Sequence, residues 1–85
     1  MANILVVDDE EPIRVLVGKI LTKDGHSVME AVNGQHACDT YDDADIDLII
    51  TDLVMPEKNG IEMMIQLKKT HPNVKLIAIS GGSGF

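Results

Sequence analysis

Four short apolar runs punctuate the chain, and between them apolar residues recur every three or four positions. Asn3 to Val7 reads N-I-L-V-V, a continuous β-branched and leucine run without polar alternation. Such a run predicts a strand buried on both faces, and it ends at two acids, Asp8 and Asp9. Pro12 suits the first turn of a helix, in which Ile13, Leu16, Val17, Ile20 and Leu21 recur at helical spacing as far as Gly25. Ser27 to Ala31 predicts a short second strand, and Asn33-Gly34 marks a turn before a helix through Ala37 and Cys38 to about Tyr41. Ile46 to Thr51 predicts a third strand that again ends at an acid, Asp52, after which Met55-Pro56 breaks regular pairing. Asn59-Gly60 then turns the chain into a helix whose apolar side is expected to carry Ile61, Met64, Ile65 and Leu67. Lys68 and Lys69 favour the negative end of that helix, and Pro72 stops it. Val74 to Ile79 is the fourth strand, followed by Ser80 and a glycine-rich stretch.

The order β-α-β-α-β-α-β with short connections predicts an α/β fold, an open parallel sheet with helices on both faces and right-handed crossovers. A length of 85 residues suits one domain rather than two.

Composition narrows the function classes. Trp is absent and only Tyr41 and Phe85 are aromatic, so the core must be aliphatic. The formal charge of −7 repels nucleic-acid phosphates and anionic membrane surfaces, so neither is an expected partner of this domain. No apolar run approaches a membrane span, and MANILVVDDE has neither a basic leader nor a cleavage site, so a cytoplasmic location is expected. Cys38 is the only cysteine, which excludes an internal disulfide; it reads as a small apolar residue on a helix face rather than a reactive thiol. Asp42, Asp43, Asp45 and Asp47 lack the Gly and terminal Glu of a calcium loop and read as a solvated loop. His26, His36 and His71 share no ligand spacing and read as surface residues.

The acids at the strand ends carry more. Ligands of parallel α/β sheets bind beyond the carboxyl ends of the strands, where strand one delivers Asp8 and Asp9, strand three Asp52 and strand four Ser80. If strands one and three are neighbours, three carboxylates converge, and their repulsion raises a pKa or demands a cation. Mg²⁺ answers that demand, because it prefers hard oxygen ligands, keeps waters and leaves positions for phosphate. The competing reading makes these acids loop residues or caps, with Asp9 or Glu10 favouring the positive end of the helix that begins near Pro12. Within T-D-L-V-M-P, Asp52 has no partner base for proton transfer, which favours nucleophilic use of its carboxylate and an aspartyl-phosphate. Ser80 supplies a hydroxyl donor, or else is an ordinary turn residue before two glycines.

With I-L-V-V-D-D-E, L-I-I-T-D-L-V-M-P-x-x-x-G and I-A-I-S-G in order and at matching separations, the sequence resembles the receiver domain of two-component response regulators over essentially its whole length. The resemblance implies a flavodoxin-like (CheY-like) doubly wound parallel sheet of order 2-1-3-4. It implies Asp52 as phosphoacceptor, Asp8 and Asp9 as the acidic pair serving Mg²⁺, the Val54 backbone carbonyl as a further metal ligand, and Ser80 as the switch hydroxyl. It also implies a sensor histidine kinase as partner, an output domain or downstream target, and a signalling domain that assists its own phosphoryl transfer rather than an enzyme. Val54 stands where the family often places residues that act on water attack, and its apolar side chain implies a slowly hydrolysing phosphoform. Asn59 stands where an Asp is more familiar.

The family's fold continues after the Ser80 position with a helix, a fifth strand bearing a lysine and a switch aromatic, and a final helix. By that measure residues 1–85 form a receiver domain incomplete at its C-terminus, for which self-association through an open strand edge is expected. Two other readings stand beside this one. One is a receiver-like interaction module that never takes phosphate. The other is a phosphatase of the haloacid dehalogenase type, disfavoured because Val54 stands where a second acid is usual and no cap domain fits.

Overall fold

The protein is described by a computed structural model over residues 1–43, 45–52 and 60–79. Its elements are β1 (Asn3–Val7), α1 (Glu11–Lys23), β2 (Ser27–Ala31), α2 (Gly34–Asp43), β3 (Leu48–Asp52), α3 (Gly60–Thr70) and β4 (Leu76–Ile79). Among the described residues the strands form one parallel sheet in the order β2-β1-β3-β4, as expected from the sequence. Leu5 pairs with Met29 and Ile49, and Ile49 with Leu76, so these side chains share one face, while Val6, Ile50 and Ile77 share the other.

On the first face Leu5, Val7, Ala31 and Ile49 meet Ala37 and Cys38 of α2 and Met63 and Leu67 of α3, with Ile46 and Val74 closing the cluster. The core is aliphatic, and Cys38 is buried within it as expected. On the second face α1 lies against β1 and β2, where Ile4 and Val6 are buried.

The helix faces depart from expectation in an informative way. Met63 and Leu67, with Gly60, form the inward side of α3, while Ile61 and Ile65 are exposed and Met64 is half-buried. In α1 the packed side carries Arg14, Val15, Val17, Gly18 and Leu21, and Ile13, Leu16 and Ile20 face outward. Both helices are apolar over more than one stripe, so a period of 3.6 residues does not single out one buried face.

Helix ends are fixed by local chemistry. Gly25, with φ of 94°, closes α1 in the left-handed region that favours glycine. Its N–H donates to the Thr22 carbonyl at 3.0 Å and the His26 N–H donates to the Leu21 carbonyl at 3.1 Å, the paired bonds of a Schellman ending. At the start of α2, Asn33 Oδ1 accepts the His36 N–H at 2.8 Å, so the predicted Asn-Gly turn is an N-cap.

The amino ends of the strands are fastened by groups that seemed merely solvated in the sequence. The Asn3 N–H donates to Asp47 Oδ2 and the Asp47 N–H to the Asn3 carbonyl, each at 2.8 Å. Asn3 Nδ2 donates to the Asp45 carbonyl at 2.9 Å, and the Ala2 N–H donates to His26 Nδ1 at 3.0 Å. His71 Nε2 lies 2.9 Å from Asp42 Oδ1, and its ring meets Tyr41 edge-on at 4.8 Å.

Candidate functional site

Because β1 and β3 are neighbours, their carboxyl ends open on the same rim of the sheet. Asp8 and Asp9 follow β1 directly, and Asp52 is the last residue of β3, in register with Ile79 of β4. One carboxylate oxygen from each of the three acids lies within 4.8 Å of the other two. Asp8 and Asp52 are buried, at 3% and 6% exposure, whereas Asp9 is open to solvent. The structure thus brings together three of the residues singled out in the sequence. Val54 and Ser80 lie outside the described residues.

Asp8 is held at several atoms. Its N–H donates to the Ala31 carbonyl at 3.1 Å, continuing the β1–β2 ladder one residue past the strand. Its Oδ1 accepts the Glu10 N–H at 2.8 Å, and its backbone carbonyl accepts a hydrogen bond from Arg14 Nη1 at 2.9 Å. Burial pushes the Asp8 carboxyl up from its ordinary value; the Glu10 N–H opposes this, the charges of Asp52 and Asp9 add to it, and the Arg14 guanidinium opposes it. The net direction is upward, as burial and neighbouring carboxylates together outweigh the Glu10 N–H and Arg14.

At β3 the Thr51 hydroxyl, fully buried, donates to the Asp52 carbonyl at 2.8 Å. Pairing with β1 on one side and β4 on the other fixes the direction in which this strand ends. The donor set is all-carboxylate, which suits a hard divalent cation such as Mg²⁺ better than a metal that prefers sulfur or imidazole. Two buried acids and a third at the mouth also fit an ion that remains partly hydrated.

Arg14 and Glu30 escaped the sequence reading. Arg14 Nε donates to Glu30 Oε1 at 2.7 Å, which joins α1 to β2 beside the acids. One signal was present: a cation in the opening turns of a helix sits where the helix dipole disfavours it. Arg14 also lies three, four and seven positions from Val17, Gly18 and Leu21, on the face that packs.

A family model described as response regulator receiver domain matches residues 4–84. The chemotaxis protein CheY of Thermotoga maritima is 38% identical over 79 residues, which are 92% of this chain and 66% of that protein. The response regulator TrrA of Thermotoga maritima, solved in complex with Mg²⁺-BeF, superimposes with a TM-score of 0.92 at 35% identity, covering 98% of this chain and 72% of that one. A complex of the histidine kinase ThkA with TrrA gives a TM-score of 0.90 at 34% identity, covering 100% and 73%. The chain therefore spans just under two thirds of the CheY relative's length.

Proposed function

Since this chain belongs to the response regulator receiver domain family, we propose that Asp52 accepts a phosphoryl group from a sensor histidine kinase, beside Mg²⁺ held with Asp8 and Asp9, and so works a signalling switch. The observation that carries the proposal is the convergence of three carboxylates from two neighbouring strands on one rim. Without a cation, the mutual repulsion of the three carboxylates costs stability.

Mg²⁺ when bound supplies charge compensation for an incoming phosphoryl group, which three carboxylates would otherwise repel. The chain's own residues supply position. Asp8 offers a carboxylate already oriented by the Glu10 N–H, and Asp9 offers one at the solvent-facing mouth. Asp52 presents its carboxylate from a strand paired on both sides, so that little orientational freedom is lost when phosphorus approaches. An Asp52 oxygen forms the new bond to phosphorus as the bond from phosphorus to the donor atom breaks, and the bonding pair leaves with the donor. The Val54 carbonyl as a further Mg²⁺ ligand and the Ser80 hydroxyl as the group that senses the phosphoryl oxygens complete the proposal.

In this reading the domain assists its own phosphorylation and turns over no separate substrate. The kinase partner and the Mg²⁺ draw support from TrrA, a relative solved with ThkA and with Mg²⁺-BeF. An output domain or target protein would receive the signal. A cytoplasmic location belongs to the same proposal; among the described residues no helix is long and apolar enough to cross a membrane.

The test is intact-mass measurement after incubation with acetyl phosphate and Mg²⁺. The expected result is the gain of one phosphoryl group in the wild type and none in Asp52→Ala. An equal gain in both proteins, or none in the wild type, would overturn the proposal and leave an interaction module.

A further inference from the structure

Arg14 is largely buried, with 13% of its side chain exposed, which is uncommon for arginine. Its guanidinium bonds with two partners: Nε donates to Glu30 Oε1 at 2.7 Å, and Nη1 donates to the Asp8 backbone carbonyl at 2.9 Å. Because the guanidinium is planar, fixing these two donors fixes the plane of the group. Asp8 in turn donates its N–H to the Ala31 carbonyl, and Ala31 follows Glu30 on β2. Asp8, Ala31, Glu30 and Arg14 thus form a closed circuit that ties the end of β1 to β2 and α1. A second tie runs from the Glu10 N–H to Asp8 Oδ1.

Ordinary stabilisation explains this arrangement poorly. Glu30 is 44% exposed, and ion pairs open to solvent contribute little. A cation near the start of a helix opposes the helix dipole, and a cation beside a cation site repels the ion that the site takes. Both costs make sense if the geometry of Asp8 is what the arginine secures. From this circuit we infer that Arg14 is a positioning residue, seating Asp8 to ligate Mg²⁺, and that Glu30 both orients Arg14 and cancels its charge. The inference rests on the reading of Asp8 as a metal ligand.

Charge alone and positioning predict opposite signs, which makes the inference testable. Removing Arg14 while Glu30 remains adds net negative charge near the acids, so charge alone predicts tighter Mg²⁺ binding in Arg14→Ala. Positioning predicts weaker binding. The experiment is calorimetric titration of the protein with Mg²⁺, with the melting temperature of each variant measured in chelator. Wild type is compared with Arg14→Ala, Arg14→Lys, Glu30→Gln and the charge-neutral double variant Arg14→Ala/Glu30→Ala.

The expected result is a Kd raised about 10-fold in Arg14→Ala and in the double variant, the scale on which metal sites respond to loss of a residue that supports a ligand. Arg14→Lys keeps the charge but cannot reproduce the planar two-partner geometry, so its Kd is also raised several-fold while its melting temperature stays near that of the wild type. Glu30→Gln weakens binding because it leaves the arginine charge uncompensated. If Arg14→Ala does not fold, Arg14→Lys decides the question, because charge alone leaves its Kd at the wild-type value. Variants that bind Mg²⁺ as tightly as the wild type, or more tightly, overturn the inference, as does an Arg14→Lys that matches the wild type. A wild type that does not bind Mg²⁺ defeats the reading of the cation site itself, a distinct result.

Discussion

Where the strands begin, polar and charged side chains meet partners: Asp47 takes the Asn3 N–H, His26 takes the Ala2 N–H, and Asp42 faces His71. Where the same strands end, Asp8, Asp9 and Asp52 turn oxygens of like charge to within 4.8 Å of one another. Both rims are built from strands in a common register, so backbone geometry does not account for the contrast. The difference lies in what each rim is left to bind. The satisfied amino rim gains stability from these bonds, whereas on the crowded carboxyl rim the mutual repulsion of three carboxylates, partly offset by Arg14, costs stability and favours a cation. Local physical rules are broken where function is expected to reside.

The largest expected effect is on the crowded rim itself. A ligand that binds only the folded state stabilises it by about 2.7 kcal/mol at 100 times its Kd. Urea unfolding followed by circular dichroism should therefore show a Mg²⁺-dependent rise of that order in the wild type. The same ion should do nearly nothing for Asp8→Asn. A Mg²⁺ response that survives this substitution would erase the contrast between the rims.

In chelator, Asp8→Asn should be the more stable protein, by about 1 kcal/mol, the usual scale for relieving a site that was not optimised for stability. The amide oxygen can still accept the Glu10 N–H, so the substitution removes charge without removing the bond. The pH dependence follows from the direction of the Asp8 shift. Its carboxyl titrates above the ordinary value of 3.8, so between that value and the raised one the folded protein holds more protons than the unfolded chain. Stability due to this group therefore falls as pH rises through that window and is level above it. The advantage of Asp8→Asn should open as pH climbs from about 4 and then stay constant. An advantage that closed with rising pH would mean that Asp8 is favourably paired.

At the satisfied rim the signs reverse. Asp47→Ala removes the acceptor of the Asn3 N–H and should cost about 1 kcal/mol, with no change in the Mg²⁺ response. A Mg²⁺ affinity altered by this change would show that the rims are coupled through β3.

Sequence made the crowded rim legible and left the other obscure. Asp8, Asp9 and Asp52 follow unbroken apolar runs, and a run of that kind points its last residue at the crevice whatever the loops do. A parallel sheet followed from alternation with helices, and the strand order from the family resemblance. Helix orientation did not follow, because Ile61 and Ile65 are as apolar as Met63 and Leu67, and the choice between the two stripes is made by the sheet beneath. The pairings of Asn3 with Asp47 and of Arg14 with Glu30 join residues far apart in the chain and depend on strand register, which composition does not encode. The same limit made Asp47 look like part of a solvated acidic loop.

The smallest expected effect belongs to His71 and Asp42, which join α2 to the turn after α3 at 2.9 Å while both remain substantially exposed. Exposed pairs of this kind contribute about 0.2–1 kcal/mol. Asp42→Ala and His71→Gln should each fall in that range. Their double variant should cost less than the sum of the two, because the second substitution removes a partner that is already gone. The ring of His71 also packs edge-on against Tyr41, so His71→Gln should cost somewhat more than Asp42→Ala. Full additivity in unfolding free energies would mean that the two side chains meet without interacting, and the amino rim would then owe its stability to backbone pairing and to the bonds made by Asn3, Asp47 and His26.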